Sequence, residues 1–131
     1  MIRITTDSTS DLSEDLLEKH HINVIPLYVM LGDDEYLDGV NIDQEKMFQF
    51  VKETNILPKT AARSIAEYVD FFNNALKEAD VIIHIGLGSE ISSSYRNAML
   101  AADEIGDDKV FVIDSKSLCN GIGLLILVAA E

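Results

Sequence analysis

The sequence is poor in cysteine, in basic residues and in long apolar runs, and each shortage excludes a class of protein. Its one cysteine, Cys119, permits no intramolecular disulfide and no site built from several thiolates. A net charge of −13, from 10 basic and 23 acidic residues, argues against binding to nucleic acid or to an anionic membrane. The longest apolar stretch, residues 121–130, is far shorter than the roughly 20 residues that span a bilayer. We therefore expect a cytoplasmic protein without stable membrane insertion.

What the sequence does contain is a regular alternation of apolar runs and amphipathic segments. The 131 residues, 47% of them hydrophobic, are enough for one domain with a substantial core, and the first residues, IRITTD, show no signal-peptide pattern. The alternation predicts a three-layer α/β/α domain over residues 1–131 with a mainly parallel sheet. The turn signal Gly32-Asp33-Asp34 predicts a short antiparallel ribbon that returns over residues 35–37.

Strands are expected where β-branched residues cluster, at residues 2–5, 23–31, 80–86 and 109–114. Helix starts are marked by capping patterns: a capping box at Asp11 and Glu14, a cap at Asp43, and a second capping box at Ser64 and Glu67. Two further helices are expected over residues 92–105 and 120–130.

The final predicted helix, residues 120–130, is apolar on nearly every side and is followed only by Glu131. A helix of this kind is buried between layers or against a partner. We therefore expect a homo-oligomer that associates through this helix or the adjoining sheet edge. The lack of a capping glycine and of a polar run-out also suggests a chain that is cut short.

Four segments rich in hydroxyl groups, residues 4–11, 57–64, 83–95 and 110–117, mark the candidate site. Three of them directly follow a predicted strand, and loops that leave parallel strands emerge at one edge of the sheet. Hydroxyls beside helix N-termini favour a carboxylate or a phosphate. Ser92, Ser93 and Ser94 are expected in the first turn of a helix, where a cap accounts for only one of them. Thr60, in a predicted loop, is expected to join the same cluster.

The segment TTDSTSD, residues 5–11, leaves three interpretations open. Ser10 or Asp11 caps a helix while Asp7 and Thr9 hold the turn together. Alternatively, Asp7, Thr9 and Asp11 offer hard oxygens to Mg²⁺ or Ca²⁺, or Asp7 is a phosphoaspartyl nucleophile. No spacing assembles a catalytic triad, a phosphate-binding glycine loop or a metal-protease motif, so we predict no catalytic residue, no metal site and no cofactor. His84, inside an apolar strand, is interpreted as a core histidine.

Six segments together resemble one known family, the DegV family of bacterial fatty-acid-binding proteins. In chain order they are ITTDSTSDL, INVIPLYV, EYLDGVNID, PKT, IGLGSEISSSYRNAMLAA and VFVIDSKSLCNGIGLL. Proteins of this family are about twice as long, so the resemblance covers the family's N-terminal domain, and its C-terminal domain is absent from this chain. The resemblance implies that a long-chain fatty acid is held by its carboxyl group at hydroxyl-bearing loops between two domains. In Gram-positive bacteria some such proteins present it to a separate fatty-acid kinase.

The family's binding residues carry over in part. Where the family reads T-S-Q-P-S, Thr60 keeps the first hydroxyl and Ala61 lacks the second. Where it reads S-S-x-L-S-G-T-Y, Ser89 and Ser92 carry over, and Ser93 replaces a glycine that allows close approach of a ligand. The resemblance therefore implies four lipid-binding residues, which are Thr60, Ser89, Ser92 and Ser93.

Two functions from other classes remain as alternatives to a fatty-acid carrier. The same hydroxyl-rich loops would suit an enzyme domain that acts on a phosphorylated or acyl-phosphate small molecule. A chain with half of the family's length would also suit an interaction module without lipid binding.

Overall fold

The computed structural model describes residues 1–106 and 108–131. They form two compact units, a larger one made of Met1–Ile25 and Arg63–Glu131 and a smaller one made of Pro26–Ala62. In chain order the elements are β1 (Ile2–Asp7), a 3-10 turn (Ser8–Ser10), α1 (Glu14–Lys19), β2 (Asn23–Ile25), β3 (Tyr28–Leu31), β4 (Asp34–Leu37), α2 (Gln44–Thr54), β5 (Lys59–Ala61), α3 (Ile65–Ala75), β6 (Val81–Gly86), α4 (Ser94–Ile105), β7 (Val110–Asp114) and α5 (Asn120–Ala130).

The larger unit is built on a four-stranded parallel sheet in the order β2-β1-β6-β7. On one face, Tyr68 and Phe72 of α3 and Ala98 and Ala101 of α4 pack with Ile82 of β6, and all five are fully buried. Helix α5 packs against β1 and β6. The fold is thus the predicted α/β arrangement with a mainly parallel sheet.

The smaller unit contains the antiparallel sheet β4-β3-β5 and helix α2. Its core consists of Val29, Leu31 and Ile42, and Asp43 caps α2 by accepting a hydrogen bond from the Lys46 N–H at 2.8 Å. The predicted antiparallel ribbon is confirmed as β3 and β4. The expectation that Thr60 lies in a loop is wrong, because Thr60 is the central residue of β5 and pairs with Val29.

Two predicted elements differ in the structure. Residues 23–31 form two strands, since Pro26, which has no N–H to donate, separates β2 of the parallel sheet from β3 of the antiparallel one. The capping box at Asp11 is also wrong: Asp11 has a φ of 52°, whereas an N-cap residue has extended backbone. Ser13 takes that place, directly before α1.

Helix α5 extends over 11 residues and is apolar on both its buried and its exposed sides. Ile122 and Ile126 are fully buried, while Leu124 and Val128 are 66% and 74% exposed. Within the described ranges, no helix combines the length and the apolar character that a membrane crossing requires.

Candidate functional site

Three loops meet at the carboxyl ends of β1, β6 and β7, and hydrogen bonds join them. The Leu87 N–H after β6 donates to Asp7 Oδ2 at the end of β1, at 2.7 Å. The Gly88 N–H donates to the Ser117 carbonyl in the loop after β7, at 3.1 Å. A Cβ on Gly88 would lie 3.0 Å from the Lys116 Cα, so only glycine lets these two loops approach so closely. The expectation that these three loops share one sheet edge is confirmed.

Asp7 is the buried residue that organises this edge. Its Oδ1 accepts hydrogen bonds from the Thr9 N–H, at 3.0 Å, and from the Thr9 hydroxyl, while its Oδ2 accepts from Leu87. The side chain is fully buried. These contacts support the interpretation in which Asp7 and Thr9 hold the turn together. In the part of the chain that the structure describes, no group of three or more His, Cys, Asp or Glu residues is arranged to hold a metal ion.

His84 lies beneath the edge, on the face of β6 that packs against α3. It is 2% exposed, its Nδ1 lies 2.9 Å from the Thr5 Oγ1, and the Tyr68 and Phe72 rings meet its ring nearly perpendicularly at centroid distances of 5.6 and 5.3 Å. Burial lowers the pKa of His84 to about 3, so its ring is neutral at pH 7. The interpretation of His84 as a core histidine is confirmed.

The Ser89 hydroxyl is engaged with an acidic neighbour. It donates to Asp114 Oδ2 at 2.6 Å, and the Ser89 N–H donates to Asp114 Oδ1 at 3.0 Å. The Ser89 hydroxyl, and then the backbone N–H groups of Lys116 and Ser89, lower the pKa of the Asp114 carboxyl. A carboxylate therefore already occupies both donors of Ser89.

Three successive serines form the entry to α4. Ser92 Oγ accepts the Ser94 N–H at 3.1 Å and lies 3.0 Å from Ser94 Oγ, so Ser92 supplies the cap. Ser93 is exposed and, within the described chain, makes no side-chain capping bond. Ser94 is 2% exposed and faces the interior. The structure thus brings Ser89, Ser92 and Ser93 to one edge, and it places Thr60, which is exposed, in the smaller unit.

Tyr68 is a polar group near this edge that the sequence pattern did not reveal, since it lies among apolar residues on the buried face of α3. Its ring is fully buried. Its hydroxyl is the one buried side-chain polar atom of the described residues that lacks a hydrogen-bond partner. Burial, reinforced by the Asp7 carboxylate, raises its pKa, while the nearby Ser94 hydroxyl opposes this shift without reaching the geometry of a full hydrogen bond.

Comparison with known proteins gives a consistent result over the whole chain. The family model described as an uncharacterised protein of the DegV family matches residues 1–131. A DegV domain-containing protein of Clostridium perfringens is 38% identical over 130 residues, which are 99% of this chain and 47% of that protein. The chain therefore spans about half the length of the curated relatives it matches.

Solved structures show the same likeness. A DegV family protein from Thermus thermophilus, described by its fatty acid binding, is 35% identical to this chain and superimposes on it with a TM-score of 0.92. The matched region covers 99% of this chain and 46% of that protein. A stearic acid-binding protein from Eubacterium ventriosum is 32% identical with a TM-score of 0.87 and the same coverage. With a family match that extends from the first residue to the last, and a fold that agrees with it, the chain belongs to the DegV family.

Proposed function

We propose that this chain binds a long-chain fatty acid as a carrier and holds its carboxylate at the hydroxyl-bearing edge of the larger unit. The observation that carries the proposal is the entry to α4, a 12-residue helix that begins at Ser94 and is preceded by Ser92 and Ser93, in the fold of fatty-acid-binding relatives. The first N–H groups of a helix lack intrahelical partners, and the helix dipole favours an anion there. A net charge of −13 gives no long-range attraction for an anion, so these local donors have to supply the affinity.

Ser92 and Ser93 are the proposed head-group contacts that directly precede α4. The Ser93 hydroxyl is exposed and is not used for capping in the described structure. Ser92 is half-buried, and its hydroxyl proton bonds only to another hydroxyl, which can rotate to release it. Together they offer two neutral donors without a nearby carboxylate as their bonded partner.

Ser89 and Thr60 complete the proposed set with different roles. The Ser89 hydroxyl donates to Asp114, so a ligand carboxylate has to compete with that carboxylate for it, and the two negative charges repel each other. We therefore assign Ser89 the weaker head-group contact and a role in fixing the loop before α4. Thr60 is proposed as a contact from β5, where its side chain is exposed.

The carrier is proposed to act without catalysis, in the cytoplasm, and to present the fatty-acid carboxylate to a partner kinase. An enzyme that uses Asp7 as a nucleophile gains no support, because Asp7 is fully buried and both of its oxygens accept hydrogen bonds. We further propose a homo-oligomer that associates through the exposed side of α5.

Extraction and titration test the proposal. Mass spectrometry of solvent extracts of the purified 131-residue chain is expected to release long-chain fatty acids, and delipidated protein is expected to bind oleate in an isothermal titration. Oleyl alcohol, which has the same chain as oleate but no carboxylate, is the matched control and is expected to bind more weakly. Absence of both extracted acyl chains and oleate binding would contradict the proposal.

A further inference from the structure

The Tyr68 hydroxyl presents a structural problem that the fold alone does not resolve. A buried hydroxyl without a hydrogen bond destabilises the folded protein relative to one that is paired. Phenylalanine would fill the same ring volume without that cost, as Phe72 does one turn further along the same buried face. A tyrosine at this place is therefore explained if its hydroxyl has a partner in another state of the protein.

Three polar side chains lie close enough to influence the Tyr68 hydroxyl, and they are Asp7, Ser94 and Arg63. The Arg63 guanidinium is engaged with the Glu67 carboxylate and has no acceptor to offer a hydroxyl donor. Asp7 already accepts bonds from Thr9 and Leu87 and is fixed by them. Ser94 lies on the face of α4 that also carries the buried Ala98, and this face packs against α3. The Ser94 hydroxyl is the partner with a free rotation, so it is the group that can turn towards Tyr68.

The bond between Ser92 and Ser94 can be written in either direction, because each hydroxyl has one proton and two lone pairs. In the structure, the Ser92 hydroxyl donates to the Ser94 hydroxyl at 3.0 Å. If Ser92 donates to a ligand carboxylate, it has no proton left for Ser94. Ser94 then donates to Ser92, and both lone pairs of the Ser94 oxygen are available to accept a hydrogen bond from a third group.

We propose that Tyr68 is that third group and acts as a positioning residue of the fatty-acid site: its hydroxyl donates to Ser94, Ser94 donates to Ser92, and Ser92 donates to the ligand carboxylate. This inference rests on the proposed fatty-acid binding at the entry to α4. The chain of hydroxyls connects a buried tyrosine to the surface without requiring the ligand to enter the core. Because burial keeps the Tyr68 hydroxyl protonated, it remains a donor throughout the neutral pH range.

Replacing Tyr68 by phenylalanine tests the relay without disturbing the core. Tyr68→Phe is expected to weaken oleate binding by about three- to ten-fold, since one hydrogen bond of the bound state is lost. Its thermal unfolding midpoint is expected to stay equal or to rise, because the removed hydroxyl has no partner in the free protein. Tyr36→Phe, which removes the same group from β4 of the smaller unit, is the matched control and is expected to leave oleate affinity unchanged.

Two further measurements separate positioning from a general effect on packing. In the Ser92→Ala background, Tyr68→Phe is expected to cause no additional loss of affinity, because its effect passes through Ser92. With oleate labelled with ¹³C at the carboxyl carbon, the pH titration of the bound signal gives the pKa of the ligand carboxyl. A donor stabilises the carboxylate and lowers this pKa, so Tyr68→Phe and Ser92→Ala are both expected to raise it.

The outcomes distinguish the relay from the function on which it rests. If the unmodified chain binds no oleate, the proposed function fails, and the relay fails with it. If it binds oleate but Tyr68→Phe leaves both the affinity and the ligand pKa unchanged, the relay alone is overturned. Equal losses of affinity from Tyr68→Phe in the presence and absence of Ser92 would also overturn it.

Discussion

The Leu87 N–H donates to Asp7 Oδ2 at 2.7 Å, and this bond joins the carboxyl end of β6 to that of the neighbouring strand β1. Leu87 is the first residue after β6, so the bond fixes the direction in which the chain leaves the strand. The loop that follows carries Ser89, Ser92 and Ser93. A buried carboxylate thus sets the position of the proposed head-group site through a single backbone N–H.

Replacing Asp7 is expected to destabilise the fold. Asp7→Asn keeps the shape of the side chain but replaces one accepting oxygen with an NH₂ group, which is a donor. That donor would face either the Leu87 N–H or the Thr9 N–H, so one hydrogen bond is lost. Hydrogen bonds to a buried charged group contribute about 1.5–3 kcal/mol, and we expect a loss of this size in the free energy of unfolding measured with urea. Asp70→Asn, at an exposed position on α3, is the control. Equal stability of the two variants would refute the role assigned to Asp7.

Gly86 at the end of β6 is expected to tolerate no side chain. A Cβ there would lie 2.5 Å from Asp7 Oδ2 and 3.1 Å from His84 Nε2, and both groups are buried. Gly86→Ala therefore forces Asp7 out of its hydrogen bonds and is expected to cost more than Gly39→Ala. At Gly39 a Cβ meets no described atom within 4 Å, and only the φ of 73° opposes alanine, at about 1–2 kcal/mol. Urea unfolding of both variants measures the difference.

Burial of neutral His84 is expected to make stability depend on pH. Its pKa is about 3 in the folded protein and about 6.5 when unfolded, so below pH 6.5 only the unfolded state takes up the proton. Stability is therefore expected to fall as pH drops from 6.5 towards 3, by up to about 1.4 kcal/mol per pH unit from this residue. Urea unfolding at pH 4.5 and 7 measures the change, and His84→Asn is expected to reduce it. An NMR titration of the His84 ring that shows protonation near pH 6.5 would rule this out.

The sequence predicted those elements whose signals are local. The capping box of Ser64 and Glu67 forms as expected, since the Glu67 carboxylate accepts the Ser64 N–H at 2.8 Å. The sequence predicts one strand over residues 23–31, whereas Pro26 separates two strands that belong to different sheets, because sheet membership depends on distant partners. Strand β5 was missed because its three residues are exposed and show no apolar alternation.

The sequence predicted where the candidate site lies, but it did not predict which residues contact one another there. Parallel topology alone brings the loops after β1, β6 and β7 together, and the run of serines before α4 was visible in the sequence. The bond between Ser89 and Asp114 joins residues 25 positions apart and depends on the pairing of β6 with β7. The unpaired Tyr68 hydroxyl depends on how α3 packs against α4, and no local pattern encodes that packing.

Loss of a head-group hydroxyl is expected to weaken fatty-acid binding. A hydrogen bond to a charged group contributes about 1.5–3 kcal/mol, which corresponds to roughly ten-fold or more in affinity. Ser92→Ala and Thr60→Ala are each expected to show such a loss in oleate titrations. Thr54→Ala is the control for the smaller unit, because the Thr54 hydroxyl donates to the Phe50 carbonyl within α2. Unchanged oleate affinity in both test variants would remove Ser92 and Thr60 from the site.

The exposed side of α5 is expected to drive self-association. Leu124, Leu125 and Val128 are 66%, 44% and 74% exposed, and burial of each such side chain contributes about 1.5–3 kcal/mol. Contiguous apolar side chains of this kind favour a partner, and a second copy related by a two-fold axis offers the same surface. Light scattering over a range of concentrations is expected to show a dimer that Leu125→Glu converts to a folded monomer. Phe48→Glu, at a residue on α2 that is 71% exposed, is the control and is expected to leave the dimer intact. A chain that stays monomeric at millimolar concentration would exclude α5 as an interface.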